Sequence, residues 1–273
     1  MPEPSQPRPR IELVTDLEHP GGTMLLMDDV RQSYVDIADP TYLDFEYIQF
    51  FACVLATLPA GSLRVTHIGG GGLTMPRYLQ AIRPGSPQIV LEPDIELTEL
   101  VRAELPLPRN HRVRIRPVDG RTGIAQLADG SADVLILDAY ADGRVPASLG
   151  TEEFFAAVAR VLAPAGLLLA NLVDEPEFGY LKRVLAGVQA HFGQLAVVSS
   201  TDVLRGRRFG NVVLAATAGS LDIDELRRQV ARQPFPAGVR SGKQLAARFV
   251  GAHPWTDADA AESPEPVRGW RIR

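Results

Sequence analysis

The chain has 273 residues, of which 45% are hydrophobic and 22% charged, as in an ordinary globular protein long enough to bury a full core. Its formal net charge of −5 argues against a nucleic acid as partner, because proteins of that class usually carry a basic face. No apolar run approaches the roughly 18 residues of a membrane helix, and Cys53 is the single cysteine, so we expect a reduced, cytoplasmic protein without membrane contact.

The first 40 residues predict a tail followed by a small β-sheet domain. Residues 1–9 contain four prolines and no apolar periodicity, which is typical of disorder. Residues 10–40 then hold three short β-type segments separated by turn residues, namely Ile11–Thr15, Met24–Asp28 and Val30–Ile37. A helix is predicted over residues 41–58, between Asp39-Pro40 and Pro59-Ala60-Gly61.

Four consecutive glycines, Gly69–Gly72, lie between a predicted buried strand, Arg64–Ile68, and a predicted helix, Leu73–Arg83. Glycine adopts positive φ at little cost, and bare backbone at a helix N-terminus lets a flat ligand approach its N–H groups. The next strand, Gln88–Leu91, ends at Glu92, whose carboxylate is placed to accept hydrogen bonds from both hydroxyls of a ribose. The unit therefore predicts a nucleoside site, although the third glycine of the NAD fingerprint is missing. The alternative is an ordinary βαβ turn with surplus glycine.

Strands and helices alternate beyond this unit, which predicts a parallel sheet covered on both faces. Further strands are expected over 113–116, 133–137 and 167–172. Helices are expected over 94–104 and 177–191, and another helix follows Asp119-Gly120 and runs through residue 127. Another helix begins at the N-cap Thr151 and ends at Pro164-Ala165-Gly166.

The pattern changes after residue 191. Two strands, Leu195–Ser200 and Asn211–Thr217, are joined by a polar link over 201–210 that leaves no room for a helix. Such a hairpin inserts the last strand antiparallel, which is typical of the seven-stranded, Rossmann-like fold of class I S-adenosylmethionine enzymes. We therefore predict an α/β domain with a mixed seven-stranded sheet over residues 41–250. It includes helices near 223–232 and 242–249, and a polar C-terminal tail follows over residues 251–273.

Ligands of an open parallel sheet bind outside the carboxyl ends of its strands. The candidate residues at these ends are Gly69, Gly70, Gly71, Gly72, Glu92, Asp119, Gly120, Asp138, Asn171 and Leu172. Asp94 lies there too but heads a helix, so we interpret it as an N-cap, whereas Asp119 and Asp138 could bind a ligand or brace the structure. No set of His, Cys and carboxylate residues has metal-ligand spacing, so no metal is expected. His67 alternates within a buried strand and is interpreted as a core residue.

Several further motifs occur in a fixed order along the chain. They are Asp28-Asp29-Val30-Arg31-Gln32 ahead of Tyr42 and Tyr47, Ile68-Gly69-Gly70-Gly71, Glu92-Pro93-Asp94, Asp119-Gly120, Leu135-Ile136-Leu137-Asp138, and Thr151-Glu152-Glu153-Phe154-Phe155 leading to Leu162-Ala163-Pro164-Ala165-Gly166. The set resembles the spermidine synthase (aminopropyltransferase) family over about residues 24–215. The resemblance implies an N-terminal β-domain, a Rossmann-like domain and a homodimer.

The resemblance also implies a reaction of polyamine biosynthesis. An aminopropyl group would pass from decarboxylated S-adenosylmethionine to an amine, leaving methylthioadenosine. Glu92 would bind the ribose and Asp119 the adenine, Gln32 would contact the nucleoside side of the pocket, and Asp138 would begin the catalytic loop. Because both reactants are cationic and the amine must lose a proton, the chemistry requires an acidic cleft.

Two positions depart from the family's pattern. Gly72 stands where the family has an Asp that grips the aminopropyl ammonium, and this loss is expected to cost on the order of 1.5–3 kcal/mol. The second Asp of the family's catalytic loop, which helps to deprotonate the amine, is missing here or displaced by one residue to Asp142. We therefore expect the family's usual polyamine specificity to be altered.

Three functions remain as alternatives. The first is an aminopropyltransferase-like enzyme in which Asp138 and Asp142 are catalytic and the acceptor is an amine. The second is a methyltransferase that uses S-adenosylmethionine, because the missing carboxylate at Gly72 leaves room for the carboxylate of that ligand. The third is a non-catalytic homologue that keeps the fold, as the displaced Asp142 suggests.

Overall fold

The computed structural model describes residues 9–247 and 251–266. These residues form a small antiparallel sheet and a larger mixed sheet with helices on both faces. The predicted disordered tail lies outside the described residues except for Pro9, and so does Phe249, where the last helix was predicted to end.

Two groups of strands build the sheets. The small sheet contains β1 (Ile11–Thr15), β2 (Gly22–Met27) and β3 (Val30–Asp36). The main sheet contains β4 (Val65–Ile68), β5 (Gln88–Leu91), β6 (Val113–Arg116), β7 (Ala132–Leu137), β8 (Leu162–Asp174), β9 (Gln194–Ser200), β10 (Gly210–Thr217) and β11 (Ala237–Ser241).

The helices connect these strands. They are α1 (Glu46–Leu55), α2 (Thr74–Ile82), α3 (Ile95–Glu104), α4 (Gly120–Ala125), α5 (Glu152–Val161), α6 (Gly179–Gln189), α7 (Thr201–Leu204), α8 (Ile223–Ala231) and α9 (Gly242–Ala246).

The strand order of the main sheet is β11-β9-β10-β8-β7-β4-β5-β6. Strands β4 to β8 run parallel, whereas β10 is antiparallel to both β8 and β9. This confirms the predicted mixed α/β sheet and the small N-terminal sheet. It also confirms that a strand following the parallel series, β10, inserts antiparallel. The parallel carboxyl ends of β4, β5, β6 and β7 meet at one edge, where a ligand of such a fold binds.

Three local predictions were wrong. The sheet has an eighth strand in the described residues, because β11 pairs antiparallel with the edge strand β9. The link over 201–210 contains α7, a single turn whose four residues still leave room for the return to β10. Strand β8 begins at Leu162, directly after α5, and residues 163–166 bulge out of the pairing with β7. Pro164 is tolerated in that bulge, because it need not donate a ladder hydrogen bond there.

Apolar side chains cover both faces of the main sheet. Along β7, Leu135 and Leu137 join the cluster beneath α4, α5 and α6, while Val134 and Ile136 join the cluster beneath α1 and α8. A third cluster connects the small sheet to the main domain and includes Leu73. Each packed face fixes the strand ends, and with them the residues that follow the strands.

Two predictions about the bulk of the protein can be compared with the structure. Cys53 is buried, and burial raises the pKa of its thiol to about 11, as expected for a packed side chain rather than a nucleophile. Over the described ranges, no helix combines the length and the apolar character needed to cross a membrane.

Candidate active site

A cleft of about 790 Å³ opens at the carboxyl ends of the parallel strands, and the small sheet lines its other side. The cleft is lined by the residues that were predicted to bind or react: Gln32, Gly69, Gly70, Gly71, Glu92, Asp119, Gly120, Asp138 and Asp142. Of the other predicted strand-end residues, Asn171 lines the cleft, whereas Gly72 and Leu172 do not. The fold therefore brings these residues together around one space. Their roles in binding or catalysis stay predictions.

The glycine turn packs tightly against the end of the neighbouring strand. Gly69 has a φ of +92°, and a Cβ at this position would overlap the carbonyl oxygen of Asp138. The backbone N–H of Gly69 donates to Leu91, and the N–H of Asp138 donates to Ile68, each at 2.9 Å. Glycine is thus required here both for the conformation of the turn and for its close approach to β7.

Glu92 is held in one orientation by two backbone groups. Its Oε2 accepts a hydrogen bond from the N–H of Gly70 at 2.8 Å, and its Oε1 accepts one from the N–H of Asp94 at 3.0 Å. Each oxygen of an ionised carboxylate has two acceptor sites, so each retains the capacity for one further hydrogen bond. This half-buried carboxylate lines the cleft and could accept bonds from two ligand hydroxyls.

Asp94 and Asp119 both cap helices. Asp94 accepts from the N–H of Leu97 at 2.9 Å and begins α3, as predicted. Asp119 accepts from the N–H of Thr122 at 2.9 Å and begins α4, and this backbone hydrogen bond holds the pKa of its carboxyl below the usual range. A Cβ on Gly120 would overlap Ile68, so the start of α4 packs directly on β4. The bracing role of Asp119 is therefore observed, and its predicted adenine contact would add to it.

Asp138 lies at the centre of a hydrogen-bond network between three elements. Its Oδ2 accepts from the hydroxyl of Tyr47 at 3.2 Å, and its Oδ1 accepts from the amide of Asn171 at 3.0 Å. The amide of Asn211 donates in turn to the side-chain oxygen of Asn171 at 2.9 Å, and Tyr140 donates to the backbone oxygen of Asn171 at 3.1 Å. The network holds one carboxylate oxygen from each side, so the carboxylate cannot rotate without losing a partner.

The protonation of Asp138 is set by the same surroundings. Burial raises the pKa of Asp138 to about 6, against the hydrogen bonds from Asn171 and Tyr47, which lower it. A carboxylate with this pKa is ionised at neutral pH and can take up a proton from a substrate. Sequence reasoning found Asp138 and noted Asn171 at a strand end, but it missed Tyr47 and Asn211 as partners.

Asp142 lies at the tip of a hairpin turn, apart from that network. Asp142 and Gly143 have φ values of +51° and +75°, and Ala141 and Arg144 exchange two backbone hydrogen bonds of 2.9 Å. Positive φ at both central residues, with the sequence Asp-Gly, is typical of a tight type I′ turn. The displaced aspartate is consequently exposed at the mouth of the cleft.

Strand β3 occupies the space beside Gly72. The N–H of Gly72 donates to the hydroxyl of Ser33 at 3.0 Å. A Cβ on Gly72 would lie 2.8 Å from Cγ2 of Val35 and 3.0 Å from Cβ of Ser33. A side chain at this position would therefore point into the small sheet, and the room that the sequence assigned to a ligand carboxylate is filled.

The cleft is strongly acidic. Its lining includes eight carboxylates and, within the described ranges, neither lysine nor arginine: Asp28, Asp44, Glu92, Asp94, Asp119, Asp138, Asp142 and Glu265. Of these, Asp44 pairs with Arg31, and Glu265 pairs with Arg144. His67 adds no positive charge, because burial lowers its pKa to about 4 even though the 2.8 Å hydrogen bond to Gln88 acts in the opposite direction. No cluster of three or more potential metal ligands occurs in the part of the chain that the structure describes.

Solved structures of known proteins share this fold. No family model matches the chain. The crystal structure of a probable spermidine synthase from Corynebacterium glutamicum superposes with a TM-score of 0.84 at 31% identity, covering 97% of this chain and 96% of that one. A spermidine synthase in complex with the transition state analogue AdoDATO superposes with a TM-score of 0.58 at 18% identity, covering 85% of this chain and 79% of that one, which shows the fold alone.

Two curated relatives carry the name polyamine aminopropyltransferase. The protein from Chromobacterium violaceum is 24% identical over 249 residues, which are 89% of this chain and 88% of that protein. The protein from Vibrio vulnificus is 29% identical over 110 residues, which span 40% of this chain and only 37% of that protein. With the end-to-end likeness to the Corynebacterium structure, these matches show that the chain belongs to the spermidine synthase-like, or polyamine aminopropyltransferase, family.

Proposed function

We propose that this protein binds an S-adenosyl nucleoside in the acidic cleft and transfers an aminopropyl group from decarboxylated S-adenosylmethionine to an amine. The charge of the cleft carries the proposal. Decarboxylated S-adenosylmethionine is a sulfonium with an ammonium tail, and an amine acceptor is protonated at neutral pH. Eight carboxylates line the cleft without a lining lysine or arginine, and those other than Asp44 and Glu265, which pair with Arg31 and Arg144, complement two such cations.

The nucleoside half of the cleft fits the ligand class. Glu92 is fixed by Gly70 and Asp94 and retains the capacity to accept two hydrogen bonds from ribose hydroxyls. The bare backbone of Gly69–Gly71 offers a flat surface beside it. A spermidine synthase of the same fold holds the transition state analogue AdoDATO. These residues would therefore bind methylthioadenosine or a chemically related nucleoside.

The transfer needs one proton acceptor. The nitrogen of the amine substrate loses a proton and forms a bond to the aminopropyl carbon. At the same time the carbon–sulfur bond breaks, and its electron pair stays on the sulfur of methylthioadenosine. Asp138 would take up the proton, because it lies in the cleft and is held from both sides by Tyr47 and Asn171. Asp142, at the exposed turn, would attract the ammonium groups of the acceptor.

A methyltransferase is the second candidate, and one observation favours it: Gly72 leaves the turn without the carboxylate that holds an aminopropyl ammonium. The charges of the cleft oppose it, because the amino-acid carboxylate of S-adenosylmethionine would meet carboxylates and no lining lysine or arginine among the described residues. Strand β3 also fills the space beside Gly72.

Binding and product analysis distinguish the candidates. We expect calorimetry to show binding of methylthioadenosine and decarboxylated S-adenosylmethionine, with weaker binding of S-adenosylmethionine. Mass spectrometry should then detect methylthioadenosine and an aminopropylated product when α,ω-diamines are supplied. Release of S-adenosylhomocysteine from S-adenosylmethionine would instead establish the methyltransferase. Binding without any product would indicate a non-catalytic homologue, and the absence of binding to all three nucleosides would refute the proposal.

A further inference from the structure

The segment 251–266, here called the C-terminal strap, runs over α5 and α6 towards the cleft. Its first half is anchored on these helices. The N–H of Glu152 donates to the backbone oxygen of Trp255 at 2.8 Å, and the guanidinium of Arg183 lies 3.5 Å from the centre of the Trp255 ring. Asp257 accepts from the hydroxyl of Thr151 at 2.8 Å. These contacts fix the direction of the strap.

The second half of the strap binds the loop that carries Asp142. Ser263 is only 1% exposed, and its hydroxyl accepts from the N–H of Val145 at 2.9 Å, while its own N–H donates to the backbone oxygen of Val145 at 3.2 Å. Arg144 forms ion pairs with Glu262 at 3.3 Å and with Glu265 at 2.7 Å. Each of the two residues before Pro146 therefore has partners on the strap.

The end of the strap forms part of the cleft wall. Glu265 and Pro266 line the cleft together with Asp142 and Gly143. A Cβ on Gly143 would lie 3.2 Å from Cγ of Pro266, so the hairpin turn and the strap are in close contact. Asp142 is thus placed next to a segment from the far end of the chain.

We propose that the strap belongs to the active site and that Ser263 is a positioning residue for the amine acceptor, because it fixes the loop 139–146 and with it Asp142. The role towards the acceptor rests on the function proposed above. An isolated two-stranded hairpin is at best marginally stable in water, so the turn at Asp142 needs a partner to keep one orientation. The two hydrogen bonds between Ser263 and Val145 supply it at the buried end of the loop.

Two variants and one control test the proposal. Ser263→Ala leaves the N–H of Val145 buried without an acceptor, so amide hydrogen exchange in the loop 139–146 should become about 10- to 100-fold faster. Arg144→Gln removes both ion pairs at a partly exposed position and should accelerate the same amides up to about fivefold. Thr217→Ala is the matched control, because its buried hydroxyl donates to Gly166 at the opposite end of β10. It should leave exchange in the loop unchanged.

The kinetic readout separates positioning from bracing. In Ser263→Ala we expect the KM for a diamine acceptor to rise at least about fivefold, with kcat and the affinity for methylthioadenosine nearly unchanged. Unchanged loop exchange in both variants overturns the proposal, as does faster exchange with an unchanged acceptor KM. A wild-type protein that binds no nucleoside and transfers nothing refutes the proposed function instead. In that case, loop exchange in the two variants alone decides whether the strap fixes the loop.

Discussion

The side-chain amide of Asn171 donates a hydrogen bond to the carboxylate of Asp138 at 3.0 Å, between the neighbouring strands β8 and β7. Asn171 is itself held by the amide of Asn211 on β10. Three adjacent strands thus fix a carboxylate of the cleft whose pKa burial raises to about 6. This relationship gives the account a measurable pH dependence.

Asn171→Ala should move the pH profile of transfer upwards. The reaction needs ionised Asp138, so kcat/KM should fall as the pH decreases through about 6. The hydrogen bond from Asn171 favours the ionised form, and its removal raises the pKa and shifts the midpoint to higher pH. The measurement is kcat/KM against pH for wild type and variant.

Asp174→Asn is the control for this profile. Burial raises the pKa of Asp174 to about 6 as well, but this residue bonds the backbone of Glu175 and Leu181 and does not line the cleft. The midpoint should therefore remain that of the wild type. A midpoint that shifts in Asp174→Asn, or one that stays unchanged in Asn171→Ala, would contradict the assignment of Asp138 as the proton acceptor.

Glu92→Gln should weaken the binding of methylthioadenosine. The substitution removes the charge that strengthens hydrogen bonds to the ribose, which is worth about 1.5–3 kcal/mol, or roughly a 10- to 100-fold higher Kd. Calorimetry provides the measurement. The comparison is Asp94→Ser, which removes a neighbouring carboxylate but keeps a helix N-cap, and it should leave the Kd nearly unchanged. Equal losses in both variants would show that net charge alone attracts the ligand.

Gly72→Asp should destabilise the protein rather than restore the family's pattern. The new Cβ would lie 2.8 Å from Cγ2 of Val35, so strand β3 must shift. We expect the loss of stability to be about 1–2 kcal/mol smaller in a Val35→Ala background, because the clash is then relieved. Urea unfolding of the two single variants and the double variant measures this coupling. Strictly additive losses would mean that β3 does not limit this position.

Leu73 offers a second test of the turn. It has a φ of +61° and is 2% exposed, so its backbone is strained while its side chain packs between the small sheet and the main domain. Leu73→Ala should lose about 2–5 kcal/mol of stability. Leu73→Gly should lose about 1 kcal/mol less, because glycine relieves the left-handed conformation. In helices alanine usually stabilises more than glycine, so the expected order here is the reverse. If urea unfolding shows Leu73→Ala to be more stable than Leu73→Gly, the backbone at this position is not strained.

The sequence was sufficient to predict the parallel sheet and the acidic ends of its strands. Local patterns encode these features: the apolar run of β7 ends directly at Asp138, and Gln88–Leu91 ends directly at Glu92. The hairpin signal over β9 and β10 likewise predicted the antiparallel insertion. Such features depend on neighbours in the chain, so they can be inferred without knowing the tertiary structure.

The remaining features depend on pairings between distant segments. Asn211 reaches Asn171 only because β10 lies antiparallel beside β8, and Ser33 reaches Gly72 only because the small sheet docks on the turn. β11 was missed because Ala237–Ser241 has no strong β-pattern of its own and gains its partner from the edge strand β9. The strap at Ser263 was read as a polar tail for the same reason: its hydrogen bonds are made with a loop more than 100 residues away.

A crystal structure of the protein with bound methylthioadenosine would show directly whether Glu92 holds the ribose. We expect the ribose hydroxyls to lie within hydrogen-bond distance of Glu92, with the sulfur facing Asp138 and the nucleoside against the backbone of Gly69–Gly71. A nucleoside bound elsewhere, or one held in the cleft without any contact to Glu92, would contradict it.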